Sequence, residues 1–301
     1  MAFSATAAVP SKAALSFEKF SVLDQGRHGA CVTFASAAAL NYVLDKPNHV
    51  SPLCSLELGN TLEKSSYYPS GWDGSFGPIV LDQFMRFGYI TMAEQLKGNC
   101  GGVKNYPAGN GSDTGNPMSL PEYNRYSNSL LWEQLSSGMA SKVFWSPIVT
   151  VEDRFNLTES DEAYDGGKAL LKVKQAILNN KNNIKNIVTI GFLLYGDICH
   201  AGACGKHNAQ SDTWAMTSSI KDLLKRGLGP DAGHEVTIIG YDDDAIAVDQ
   251  NGISHQGLLT IRNSWGAKNG DKGNYYMTYD YFKTFVDEVQ KISKVTLDLN
   301  N

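Results

Sequence analysis

The chain of 301 residues carries 26 basic and 31 acidic side chains, a net charge of −5, and is 42% hydrophobic and 10% aromatic. This is enough apolar material for a full core, and enough length for two lobes around a cleft. Neither sign of charge is gathered into a run suited to nucleic acid or a membrane surface, and no stretch approaches the roughly 20 apolar residues of a membrane span.

The first twenty residues are rich in Ala and Ser but are broken by Pro10 and Lys12, so they lack the continuous apolar core of a signal peptide. Residues 1–20 read as an N-terminal extension. Residues 29–44, GACVTFASAAALNYVL, are apolar on nearly every side and free of Gly and Pro after Gly29, the pattern of a buried helix. Val80, Leu81, Phe84 and Phe87 recur at helical spacing and predict a second helix over 78–87, closed by Gly88. The stretch 98–115 is crowded with Gly, Asn and Pro and reads as loop; the lobe boundary is placed near its end, giving a helical lobe over 21–115. Residues 130–139 look helical, and Leu170, Val173, Ala176 and Ile177 predict a helix over 167–178. From there the composition changes. Residues 187–195, 236–242, 257–265 and 274–282 are rich in β-branched and aromatic side chains and predict a mostly antiparallel sheet in a β-rich lobe over 116–301. The expectation is an α+β protein of two lobes, with a ligand cleft where they meet.

Five cysteines leave one over if the rest pair. With Cys31 as the free thiol, Cys54, Cys100, Cys199 and Cys204 allow three pairings, and the short loop CHAGAC favours Cys199 with Cys204. Four reduced cysteines are the competing reading, since the composition is not disulfide-dense. Cys199, His200, Cys204 and His207 also offer four zinc-type ligands, but their spacing is unlike common zinc motifs, so neither a metal nor a cofactor is expected. Asn110 and Asn156 stand in Asn-Gly-Ser and Asn-Leu-Thr glycosylation triplets, which also arise often by chance.

Three segments carry candidate chemistry. Cys31 falls where the buried helix begins, and backbone N–H groups at a helix start favour a thiolate; a lone cysteine there is more often packing. His234, in AGHEVTIIGYDDD, precedes a buried-looking strand, where a lone histidine is usually an ordinary edge residue. In IRNSWG, Asn263 and Trp265 end a strand, and an amide can hold an imidazole in one tautomer while an indole shields the contact from water.

Taken together and in this order, the segments resemble papain-like cysteine peptidases. DQGRHGACVTFA is similar to their nucleophile segment, with Gly29, Ala30 and Cys31 matching the signature C-G-[SA]-C-[WY]. HEVTIIGYD resembles their histidine segment, and NSWG followed by GDKGNYYMTY their asparagine segment. GWDGSFGPIVLDQFMRFGYI resembles the glycine-bearing wall that follows their first helix. The resemblance implies a papain-like two-lobe fold with a barrel-like second lobe, and a peptide-bond hydrolase working through a thiolate–imidazolium pair, in which Cys31 attacks, His234 holds the proton as imidazolium and delivers it to the leaving amine, and Asn263 orients the imidazole. It implies an oxyanion hole from Gln25 and the Cys31 N–H, support from Gly29, Ser264 and Trp265, and a cleft wall including Trp72, Asp73, Gly74 and Gly233. Polypeptides are the implied substrates, with a protein inhibitor or propeptide as a further partner, residues 1–20 as a prosegment remnant, and a secreted or lysosome-like compartment.

The pattern also breaks. The half-cystine expected three residues before the nucleophile is His28, which reads as a loop residue near the cleft or a second base. Val32 and Asn269 replace aromatic residues, predicting looser packing around the site. Cys31 and His234 stand 203 positions apart, where the family pattern has roughly 130 to 150. The excess is assigned to insertions at about 116–165 and 197–230. Acyl transfer to amines by the same residues, and a non-catalytic binding module, are the competing functions.

Overall fold

The computed structural model describes residues 9–65, 69–109, 113–136, 138–155, 164–181, 183–195 and 212–299. In chain order these form β1 (Lys12–Ala14), α1 (Cys31–Leu44), α2 (Pro52–Lys64), α3 (Gly77–Phe87), α4 (Met92–Leu96), α5 (Leu120–Tyr126), β2 (Glu133–Ser136), β3 (Met139–Val149) and α6 (Val151–Arg154). There follow α7 (Gly166–Leu178), β4 (Ile184–Leu194), β5 (Thr213–Trp214), α8 (Ser218–Lys225), β6 (Ala232–Val248), β7 (Ser254–Arg262), β8 (Asn274–Thr278), α9 (Tyr279–Phe285) and β9 (Val286–Asp298).

The alanine-rich run becomes α1, buried on every side except Ala38. Small side chains let the helix lie close to the sheet, where the Thr237 hydroxyl donates to the Ala35 carbonyl at 3.1 Å. One face of α1 joins the large core with α3, α7 and the strands, through Val32, Leu40 and Val43. The other, through Ala30 and Phe34, joins a smaller core of Leu53, Leu56, Leu58, Ile90, Met118 and Tyr123. The start of α1 therefore sits where the helical part of the molecule meets the sheet.

The nine strands of the described residues make one sheet in the order β2-β3-β9-β4-β6-β7-β8-β5, with β1 added on β6. All pairings are antiparallel except β5 with β8. Within the segment expected as an N-terminal extension, Lys12–Ala14 pairs with 240–242, and Phe17 and Phe20 enter the large core. The described residues of 130–139 are not helical: they form β2 and the start of β3, because β3 pairs along β9 and that distant partner overrides local helix propensity. Likewise β8 stops at Thr278, whose hydroxyl accepts from the Tyr281 N–H and starts α9, so the aromatic run ends in a helix rather than continuing the strand.

A disulfide joins Cys54 on α2 to Cys100, and both residues are fully buried. The favoured pair Cys199 and Cys204, with His200 and His207, lies outside the described residues, as do Asn110 and Asn156. No described helix is long and apolar enough to cross a membrane. Closing a loop of 46 residues stabilises by restricting the unfolded chain, by about 3 to 4 kcal/mol. Replacing Cys54 and Cys100 together with alanine is expected to lower the unfolding free energy by that amount in a denaturant titration. A loss under about 1 kcal/mol would remove the loop-closure account.

Candidate active site

Cys31 is the first residue of α1, and its N-cap, Ala30, offers no side chain to the amides of the first turn. Those amides are left for something else. Gly29 makes the approach to the helix: its carbonyl accepts from the Gly74 N–H at 2.9 Å, and a Cβ on it would stand 3.1 Å from the Asp73 Cα. This contact sets the 73–74 backbone beside Cys31. A cleft of about 620 Å³ follows, lined by Cys31, Val32, Asp73, Gly74, Phe192, Gly233, His234 and Glu235 among others. Of the expected wall, Trp72 lies behind the lining rather than in it, buried against His28 and Tyr106.

His234 stands near the start of β6, opposite Phe192 on β4. Its Nε2 lies 2.9 Å from Asn263 Oδ1, an oxygen that also accepts from the Ser264 N–H at 2.8 Å. A backbone N–H can only donate, so the atom it meets is the amide oxygen, and His234 Nε2 must carry the proton. The other ring nitrogen, Nδ1, is then the basic one. Trp265 stacks on the imidazole with centroids 4.8 Å apart and planes at 25°.

Gln25 is clamped at both ends of its amide. Its Nε2 donates to the His28 carbonyl at 2.8 Å, and its Oε1 accepts from the Ser264 hydroxyl at 2.6 Å. Its backbone N–H donates to the Ser264 carbonyl at 2.9 Å. Ser264 thus ties Gln25 to Asn263.

Burial opposes both charges of the pair. It pushes the Cys31 thiol up to about 11, a rise to which any charge on Glu235 adds and which the N–H groups of Glu235, Val32 and Cys31 oppose. Burial also pushes His234 down to about 4, against the hydrogen bond to Asn263. Desolvation thus opposes each charge taken singly, and a thiolate and an imidazolium formed together offset that cost for one another.

His28 is no second base. Its Nε2 donates to the Pro107 carbonyl at 2.6 Å and its ring packs on Trp72 and Tyr106, so the histidine ties the nucleophile loop to the 100s loop. The packing expected to loosen at Asn269 is supplied from elsewhere: Trp214 on β5, fully buried, lies 5.9 Å from Trp265 and 6.2 Å from His234. It comes from the region read as an insertion, and no local signal tied it to the site. Glu235, Asp287 and Glu288, which line the same cleft, were not singled out either.

Residues 231–299 match the Peptidase C1-like family. Aminopeptidase E of Lactobacillus helveticus is 38% identical over 83 residues, 28% of this chain and 17% of that protein. Aminopeptidase G of Lactobacillus delbrueckii subsp. lactis is 34% identical over 74 residues, 25% of this chain and 15% of that protein. The matched stretch is therefore about a sixth of the length of these relatives. Among solved structures, xylellain, a cysteine protease from Xylella fastidiosa, superposes with a TM-score of 0.52 at 20% identity, covering 95% of this chain and 87% of its own. The cysteine protease and lectin-like domains of Cwp84 from Clostridium difficile give 0.55 at 15% identity, covering 89% and 48%.

Proposed function

This chain has a papain-like fold, and on that fold we propose that it is a cysteine peptidase that hydrolyses peptide bonds in polypeptide substrates. The observation that carries the reading is the fixed tautomer of His234: with Nε2–H held by Asn263, Nδ1 is the basic nitrogen of an imidazole lining the same cleft as Cys31. The aminopeptidase relatives support peptide-bond chemistry as the class.

In the reaction, Cys31 Sγ attacks the scissile carbonyl carbon as its proton passes to His234 Nδ1, so the two buried charges arise together rather than singly. The carbonyl oxygen becomes an oxyanion facing the Cys31 N–H and the Gln25 amide. Collapse breaks the C–N bond, and the imidazolium returns its proton to the leaving amine. Water, deprotonated by the same nitrogen, then attacks the thioester and releases the acid and the thiol. The buried disulfide supports an oxidising compartment outside the cytosol.

Iodoacetamide labelling tests the reading. Cys31 is a free thiol, and it is expected to alkylate much faster than free cysteine at neutral pH. The rate should fall as the pH is lowered through about 4, because a protonated imidazole cannot take the thiol proton, and this limb belongs to the pair. Labelling no faster than free cysteine in the folded protein would favour a binding module instead.

A further inference from the structure

One end of the cleft holds three carboxyl groups that the proposed chemistry does not use. In the sheet, β4 runs between β6 and β9, and Gly191 lies directly opposite Glu235 on one side and Glu288 on the other. A Cβ at Gly191 would stand 2.6 Å from Glu288 Cγ and 3.0 Å from Asp287 Oδ1. Glycine at 191 therefore makes room for the Asp287 and Glu288 side chains to lie over this strand, and Gly191, Glu235, Asp287 and Glu288 all line the cleft that holds Cys31.

These carboxyls are poorly matched by the protein itself. Glu235 is 1% exposed; its carboxyl meets the Thr189 hydroxyl, which donates to Gln290, and the Glu288 carboxyl, neither of them a cation. Asp287 Oδ1 is buried without a partner. Glu288 accepts from the Gly77 N–H at 2.7 Å. Arg154 acts on Asp287 by its charge, but its guanidinium donates to the carbonyls of Val286 and Thr284. Buried carboxyls without a cationic partner are costly unless something satisfies them. Burial raises all three toward the protonated form, Glu288 to about 7, and a cation entering would displace those protons. Phe192 and Val32 on the same lining suit the methylene stem of a long cationic side chain.

We propose that the Glu235, Asp287 and Glu288 end of the cleft is a specificity pocket for a basic side chain, arginine or lysine, flanking the scissile bond of the substrate. The proposal rests on the peptidase reading. The guanidinium or ammonium donors of that side chain pair with the carboxyl oxygens, in place of the contact between Glu235 and Glu288.

The test is a positional library of N-acylated fluorogenic peptides, read as the kcat/KM ratio of arginine or lysine to norleucine at each position. Wild-type protein is expected to favour the basic residue at one position by about tenfold or more. Glu235→Gln and Glu288→Gln should each reduce that ratio toward one, and Asp287→Asn, at a less buried place, serves if either fails to fold. Cleavage with no basic preference, an unchanged ratio in the folded variants, or a demand for an unblocked N-terminus, meaning that the pocket holds the substrate's own α-ammonium, would each overturn the pocket assignment. No cleavage of any peptide together with an unreactive Cys31 would instead overturn the peptidase reading beneath it.

Discussion

Cys31→Ala is expected to abolish peptide cleavage, a fall in kcat of about 10⁴-fold or more, while leaving the fold in place. Alanine is a good first-turn residue, and the hydrogen bonds that orient His234 and Gln25 run through Asn263 and Ser264 rather than through the sulfur. Thermal unfolding should therefore change little. Cys31→Ser is expected to be almost as inactive, for a reason specific to this site. Burial lowers the basicity of the imidazole, and a serine hydroxyl is several units less acidic than a thiol, so the proton transfer that makes the nucleophile becomes much harder. Persisting cleavage by a pure Cys31→Ala protein would place the nucleophile elsewhere.

What could be seen in the sequence was local. The nucleophile helix is an uninterrupted alanine-rich run, and Cys31 begins both the predicted and the observed helix. His234 sits on, and Asn263 directly follows, strongly β-branched segments that do pair, as β6 and β7. What could not be seen depended on remote partners. β9 carries Glu288 and Gln290 among its buried positions, which breaks the apolar alternation by which a strand is read, and its place is set by β3 and β4. β2 and the start of β3 read as helical for the same reason. Trp214 reaches the imidazole only because β5 pairs with β8, a contact between residues some 60 positions apart. Glu235 looked like one polar residue in a strand; its meaning comes from Gly191 and Glu288 lying in register with it across two other strands.

Gln25→Ala is expected to lower kcat by about 10² to 10³-fold, with KM little changed, since an oxyanion donor acts on the transition state and not on the bound ground state. The clamp makes this separable from a structural effect. One Nε2 hydrogen is spent on the His28 carbonyl and the oxygen on the Ser264 hydroxyl, so the second Nε2 hydrogen is the one held ready for the oxyanion. Gln25→Glu keeps the size and an acceptor but puts a negative charge where the oxyanion forms, and should lose at least as much. Ser264→Ala leaves the donor in place and removes only its support, so about a tenfold loss is expected. Alkylation by iodoacetamide separates the two roles, because displacement at a methylene carbon creates no oxyanion. Gln25→Ala should label at Cys31 near the wild-type rate while its peptide turnover collapses. If labelling and turnover fall together, Gln25 acts by positioning the nucleophile loop through His28, and the hydrogen assigned to the oxyanion has no such role.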